Sequence, residues 1–162
     1  MYFDALSFLE DERDAFRPYE RLLALSDAQL QQPVAAAGGW SGRDLMGHLL
    51  HWQEQALAAA KELAVNEDSP TKTRTDAEWG AAPGAGDRIN AEALARYAAM
   101  PLAELRERFG VVAGELRGYL TVVPETRWIK HADNQEWFFS ETIEHYEDHA
   151  KDLQAILEAA GA

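Results

Sequence analysis

The chain has 162 residues, of which 47% are hydrophobic and 27% are charged, so we expect one globular domain over residues 1–162 and exclude a disordered chain. Its formal net charge of -13 repels phosphate backbones and anionic membranes, so we expect no nucleic-acid or membrane partner. Cysteine is absent, which excludes disulfides, thiolate zinc sites and a cysteine nucleophile.

The first half of the chain predicts two long helices. Apolar residues recur at helical spacings over Phe3–Leu25, which predicts a first amphipathic helix, with Pro18 marking a kink or a local break. Ser41 is followed three residues later by Asp44, and this pair is a helix-start signal because each side chain can accept a hydrogen bond from a first-turn amide. A second helix is therefore predicted over Gly42–Val65.

The second half predicts a long loop followed by two further helices. Turn-forming glycines and prolines crowd the segment Asn66–Asp87, which predicts a long loop between helices 2 and 3. A helical piece over Ile89–Ala99 is followed by Pro101, which fits the first position of a helix with apolar residues as far as Leu120. A last helix is predicted over Phe138–Ala159, and no segment alternates as a strand does. This order predicts an all-α four-helix bundle.

The N-terminal residues and the hydropathy of the chain bear on its location. The first ten residues include Asp4 and Glu10 and lack the basic start and apolar stretch of a secretory signal peptide. No apolar run is long enough to cross a membrane. We therefore expect a cytoplasmic protein.

The histidines are the residues with the clearest chemical potential. On a helical wheel, His48 lies at the edge of the apolar stripe of the second helix, and His51 lies about 60° further round, so we interpret His51 as solvated or as an outer neighbour of a site. On the last helix, His145 and His149 share the buried face with Tyr146. The acidic residues of that helix are predicted to face water: Glu141, Glu144, Glu147, Asp148 and Glu158.

The spacing of these histidines is compatible with a metal site. His145 and His149 are four residues apart on one helix, so their rings stack one above the other and can converge on one ion. His48 on an adjacent helix could complete a set of three neutral ligands with an open position, the arrangement typical of a catalytic site, and acidification should release the metal. A histidine on an apolar face is also commonly a hydrogen-bonded core residue, and the spacing leaves both interpretations open.

Three sequence motifs carry a resemblance to a known superfamily. The run Gly39–Leu49, GWSGRDLMGHL, resembles the WSxxDxxxHL motif of the DinB and YfiT-like superfamily. Asp87–Glu92 resembles the DxxN segment that precedes the third helix in that superfamily, and in particular in the relatives of mycothiol-dependent maleylpyruvate isomerase. Glu144–His149 is similar to its closing HxxxH motif, and Glu141–Tyr146 resembles the branch named after ClbS and DfsB.

The resemblance implies a fold, a metal site and a range of activities. It implies a four-helix bundle in which a divalent ion, usually zinc or nickel, is bound by residues that correspond to His48, His145 and His149. Some members are thiol transferases that use bacillithiol, mycothiol or glutathione, and others are resistance proteins. A homodimer and a small-molecule substrate are further implications.

Three functional hypotheses follow. The first is a metal-dependent S-transferase or hydrolase, which uses a low-molecular-weight thiol or water to attack a small electrophile. The second is a ClbS-like protein that binds a reactive small molecule, or confers resistance to it, without metal. The third is a non-catalytic homodimeric bundle. Replacing His145 and His149 separates them, because only the first predicts joint loss of metal and activity.

Overall fold

The computed structural model describes all 162 residues, and its regular structure is entirely helical. The all-α class predicted from the sequence is therefore confirmed. In chain order the α-helices are α1 (Ala5–Phe16), α2 (Asp27–Leu30), α3 (Gly42–Val65), α4 (Pro70–Trp79), α5 (Ala85–Ala99), α6 (Leu102–Leu120), α7 (Ala132–Phe139), α8 (His145–Asp148) and α9 (Ala150–Ala160). These are joined by 3-10 turns at Arg17–Ala24, Ala35–Ala37 and Glu125–Arg127 and by a π turn at Ser140–Glu144. The chain thus has more helical segments than the predicted four.

Helix α3 occupies the centre of the molecule. It packs against α6 over much of its length and also contacts α4, α5 and the π turn. Fourteen of its 24 residues are buried, and they supply several members of a continuous core of 34 hydrophobic residues. Burial of an apolar side chain contributes about 1.5–3 kcal/mol, so the packing of α3 on several sides contributes substantially to stability. No helix has both the length and the apolar character needed to cross a bilayer.

The bounds of α3 agree with the sequence prediction. The Ser41 Oγ accepts a hydrogen bond from the amide of Asp44, and the Asp44 carboxylate accepts one from the amide of Ser41 at 2.9 Å, so the predicted capping pair is formed in both directions. Close helix contact requires glycine at position 47, because a Cβ atom there would lie 2.7 Å from the Cβ of Tyr97 on α5. The glycine lets α5 approach α3.

The first predicted helix is divided in two. It was predicted over Phe3–Leu25, but α1 ends at Phe16 and the chain continues as a 3-10 segment over Arg17–Ala24. Pro18 lies at the start of that segment, where its missing N–H would interrupt an α-helix, so the break predicted at Pro18 is confirmed.

The predicted long loop between helices 2 and 3 is wrong, because it contains α4. Ser69 caps α4 by accepting a hydrogen bond from the amide of Lys72, and Pro70 is its first residue. Glu62 on α3 fixes the same turn, since its carboxylate accepts hydrogen bonds from the Ser69 hydroxyl and from the Thr71 amide and hydroxyl. Counting turn formers was misleading here, because Ser followed by Pro is also a helix-start signal.

The last predicted helix is longer and less regular than expected. It was predicted over Phe138–Ala159, whereas the helical course begins at Ala132 and includes the π turn. A further break falls at His149, whose φ of -94° and ψ of 7° lie outside the helical region and separate α8 from α9.

Candidate metal centre

The structure brings together the three histidines that the sequence singled out. His48 comes from the second turn of α3, His145 opens α8, and His149 joins α8 to α9. The Nε2 atoms of His48 and His145 lie 2.7 Å apart, and one ring nitrogen from each of the three residues lies within 4.8 Å of the others. Their ring centroids are 4.7–5.1 Å apart. A cluster of this kind could hold a metal ion.

Local departures from α-helical geometry precede and follow His145. The π turn has one more residue per turn than an α-helix, and such turns occur frequently at functional sites. Thr142 within it donates its hydroxyl proton to the carbonyl oxygen of Phe138 at 2.5 Å. The break at His149 then redirects the chain. His145 and His149 are therefore joined by one short helix, α8, with irregular backbone at both of its ends.

Burial keeps the imidazoles of His48 and His145 neutral. Loss of solvent, together with the neighbouring histidines, lowers the pKa of His48 to about 2 and that of His145 to about 3. A neutral imidazole has a nitrogen lone pair to offer, which is the form that a metal ion requires. The two rings are thus in the ligating state at neutral pH.

His149 is oriented by an acidic side chain and by an indole. Its Nδ1 lies 2.8 Å from the Oδ2 of Asp152 one helical turn later, which leaves Nε2 for the cluster. The indole of Trp40 stacks on the His149 ring at 5.4 Å and also meets the edge of His48 at 5.0 Å. Histidine ligands of metal ions characteristically have a carboxylate partner on the second nitrogen. The sequence did not predict that Asp152 and Trp40 contact His149. The spacing between His149 and Asp152, one helical turn apart, would have indicated the first of these contacts.

The donor set fits a divalent transition-metal ion. Two unprotonated Nε2 atoms at 2.7 Å repel each other unless a proton or a cation lies between them. Zinc–nitrogen bonds of about 2.0–2.1 Å place two tetrahedral ligands about 3.3 Å apart, so only a small adjustment of the rings is needed. The remaining nitrogen of His48, Nδ1, is buried without a hydrogen-bond partner, so the only polar contact of this ring is the one inside the cluster.

His51 lies outside the cluster, as predicted, but it is not solvated. It is half-buried, with its ring packed against Trp52 at 4.8 Å and Tyr97 at 6.4 Å. Its Nδ1 is buried without a hydrogen-bond partner, and burial together with the charge of Arg96 lowers its pKa to about 4. The position of His51 on the helical wheel predicted exposure to solvent, but α5 covers this side of α3.

Two cavities adjoin the histidine region and share Trp52 and Thr75 as a common wall. The larger, of about 490 Å³, is reached from His145 and is bounded by three tryptophans and four carboxylates. The smaller, of about 370 Å³, lies beside His51 and is lined by three arginines, Arg74, Arg88 and Arg96. Both are of the size that small-molecule sites have.

One acidic residue predicted to face water is an exception. Glu141 lies on the π turn, is half-buried and lines the larger cavity. Burial and the nearby carboxylate of Asp76 raise the pKa of Glu141 to about 8. The helical wheel missed this because α4, which approaches that side of the last helix, had been predicted as a loop.

A comparison with models of protein families shows to which family the chain belongs. The sequence model described as the mycothiol maleylpyruvate isomerase N-terminal domain matches residues 10–139, which run from within α1 to the end of α7. The chain belongs to this family. The match confirms the resemblance to the DinB and YfiT-like superfamily, and it includes His48 but ends before His145 and His149. No curated protein and no solved structure gave a match.

Proposed function

We propose that this member of the mycothiol maleylpyruvate isomerase N-terminal domain family is a metal-dependent enzyme in which His48, His145 and His149 bind a divalent ion, with zinc or nickel as the preferred metals. The observation that carries the proposal is the convergence of three imidazole nitrogens within 4.8 Å, with two of the rings held neutral by burial. Family membership supports it.

The proposed reaction is attack of a low-molecular-weight thiol, or of water, on a small electrophilic substrate. The ion would supply Lewis-acid chemistry by lowering the pKa of the attacking thiol or water. The protein supplies three neutral ligands, which leave the charge of the ion uncompensated, and it supplies a cavity at His145 in which a substrate can lie next to the site. Asp152 holds the ring of His149 in the orientation that directs Nε2 inward.

Elemental analysis of tag-free protein tests the metal site. We expect near-stoichiometric metal in the wild type and loss of it in the double variant His145→Ala, His149→Ala. The matched control is His131→Asn, since His131 is exposed and only caps α7, a role that asparagine also fills. A wild-type protein that takes up neither zinc nor nickel would refute the proposal. Loaded protein is then assayed with thiols and a chromogenic electrophile.

A metal-independent binding or resistance function is the second candidate. It is favoured by the tryptophan-walled cavity, which would persist without the histidines. On this alternative the double variant loses its metal but keeps its affinity for the small molecule. Joint loss of metal and activity supports the enzyme instead.

The remaining proposals concern the assembly and location of the protein. We propose one domain over residues 1–162, with its main helices arranged as a DinB-like four-helix bundle, in a cytoplasmic homodimer. Exposed apolar side chains at the N-terminus, Phe3 at 92% and Leu6 at 65%, are compatible with a partner surface. Light scattering in solution measures the molar mass and thereby tests the dimer.

A further inference from the structure

The charge of the larger cavity is distinctive. Four carboxylates line it, three of them from the π turn and α8 and one from α4, and no lysine or arginine is among its lining residues. These acids are Asp76, Glu141, Glu144 and Asp148. An anionic ligand in this cavity would be repelled by its walls, whereas a cation would be attracted.

Glu141 is a carboxylate without a partner. It is half-buried, and Lys72, whose charge acts on it, forms an ion pair not with Glu141 but with Asp76 at 2.6 Å. A carboxylate that loses water without gaining a hydrogen bond or counter-ion costs free energy, and burial with Asp76 raises the pKa of Glu141 accordingly. A cationic group in the cavity would supply the missing partner.

Aromatic walls favour the same kind of ligand. Trp52, Trp79 and Trp137 all line the cavity, and the rings of Trp52 and Trp79 meet edge to face at 5.5 Å. Indole faces attract organic cations through the ring quadrupole, and tryptophan is the most effective residue for this. Trp137 is only 7% exposed, and its indole N–H is buried without a hydrogen-bond partner in the protein.

We propose that this cavity binds the positively charged group of a small organic amine or quaternary ammonium compound. Carboxylates supply the opposite charge, and indoles supply apolar surface that a hydrated metal ion could not use. The inference goes beyond the proposed function because it requires neither a metal ion nor catalysis. The two proposals fail separately, since one is measured by metal content and the other by ligand affinity.

Tryptophan fluorescence titration of the full chain provides the test, because three of the five tryptophans line the cavity. The probe is benzyltrimethylammonium in a borate buffer at about pH 9, where Glu141 with its pKa of about 8 is mostly ionised and no organic cation competes, and the comparison compounds are benzyl alcohol and benzoate. We expect the cation to bind with a dissociation constant of about 1 mM or less, and the neutral and anionic compounds to bind at least about ten times more weakly.

Two variants assign the binding to the cavity. Glu141→Gln should weaken cation binding about tenfold, while Glu107→Gln, which removes the same charge from an exposed position on α6, should leave it unchanged. Trp79→Leu is the second variant, because Trp79 is 51% exposed and can be replaced without opening the core. Equal binding of the cation and benzyl alcohol, or wild-type affinity in both Glu141→Gln and Trp79→Leu, would overturn the proposal.

Discussion

The pair formed by His149 and Asp152 links the candidate ligand set to the rest of the protein. The Asp152 carboxylate accepts a hydrogen bond from Nδ1 of His149 at 2.8 Å, and this contact fixes which nitrogen faces the cluster. The helical wheel of the last helix put His149 on the same face as His145. A helical wheel shows which side chains share a face, but it does not show their hydrogen bonds. The residues that orient the ligands therefore became visible only with the side chains in place.

Asp152→Ala should weaken metal binding by about 10–100-fold, because His149 would lose the partner that orients its ring. The measurement is competition with a chelator of known affinity, which gives the dissociation constant of the bound metal. Glu107→Ala on α6 serves as the control for the loss of one negative charge, and an equal effect in both variants would contradict the orienting role of Asp152.

Acidification should destabilise the metal-free protein. The pKa values of His48 and His145 fall from 6.5 to about 2 and about 3 on folding, so below pH 6.5 the unfolded chain binds more protons than the folded one. The free energy of unfolding therefore rises with pH across this window. The contribution of the two neutral histidines to stability is lost as the pH falls from about 6.5 towards about 3. Between about pH 7 and pH 5.5 the loss should be about 1 kcal/mol for each histidine.

Urea denaturation at the two pH values measures this loss. His131→Asn should retain the full pH dependence, since His131 is exposed, whereas His145→Gln should reduce it. If His145→Gln leaves the pH dependence unchanged, the neutral state of His145 does not contribute to stability.

At the scale of elements, the contact between α3 and α5 depends on a glycine. Gly47→Ala would place a Cβ atom 2.7 Å from the Cβ of Tyr97, and neither backbone can move without disturbing the core. We expect a loss of about 1–3 kcal/mol in the free energy of unfolding, measured by denaturant titration. Gly114→Ala on α6 is the control, because the nearest atom there is 3.9 Å away, and it should stabilise the protein by about 0.5–1 kcal/mol. Similar effects at the two sites would argue against close packing at Gly47.

Some elements were predictable from the sequence and others were not, for physical reasons. Helix α3 was predicted with both ends, because its capping pair and its apolar periodicity indicate the same segment. Helix α4 was missed, since it is short and polar and is fixed by the distant carboxylate of Glu62. The π turn at Ser140–Glu144 leaves no mark in apolar spacing, and α4, which approaches Glu141, was itself missed, so the burial of Glu141 could not be predicted.

At the scale of the whole molecule, a buried polar network connects helices that carry the site. Arg117 on α6 forms a 2.6 Å ion pair with Glu12 on α1, a residue with no exposed surface. Glu12 also accepts a hydrogen bond from the hydroxyl of Tyr146, which in turn accepts one from Gln53 on α3. Tyr146 follows His145 directly, so four helices are joined immediately behind the histidine cluster.

Arg117→Met should lower the free energy of unfolding by about 3–5 kcal/mol, because Glu12 would stay buried without its counter-ion. Thermal or urea denaturation measures the loss. Restoring neutrality with the double variant Glu12→Gln, Arg117→Met should recover part of it. A double variant that is no more stable than Arg117→Met would show that packing, and not the unpaired charge, causes the loss.

The π turn separates the length of the chain from the direction of its histidines. Compared with an α-helix, a π turn holds one additional residue, and each residue of an α-helix turns the following side chains by about 100°. Deleting one residue from Ser140–Glu144 would therefore convert the π turn to an α-helical turn and leave His145 and His149 facing His48. By contrast, deleting one residue from the regular part of α7 would rotate both histidines by about 100° relative to His48, so the same change in length has opposite consequences on the two sides of Ser140.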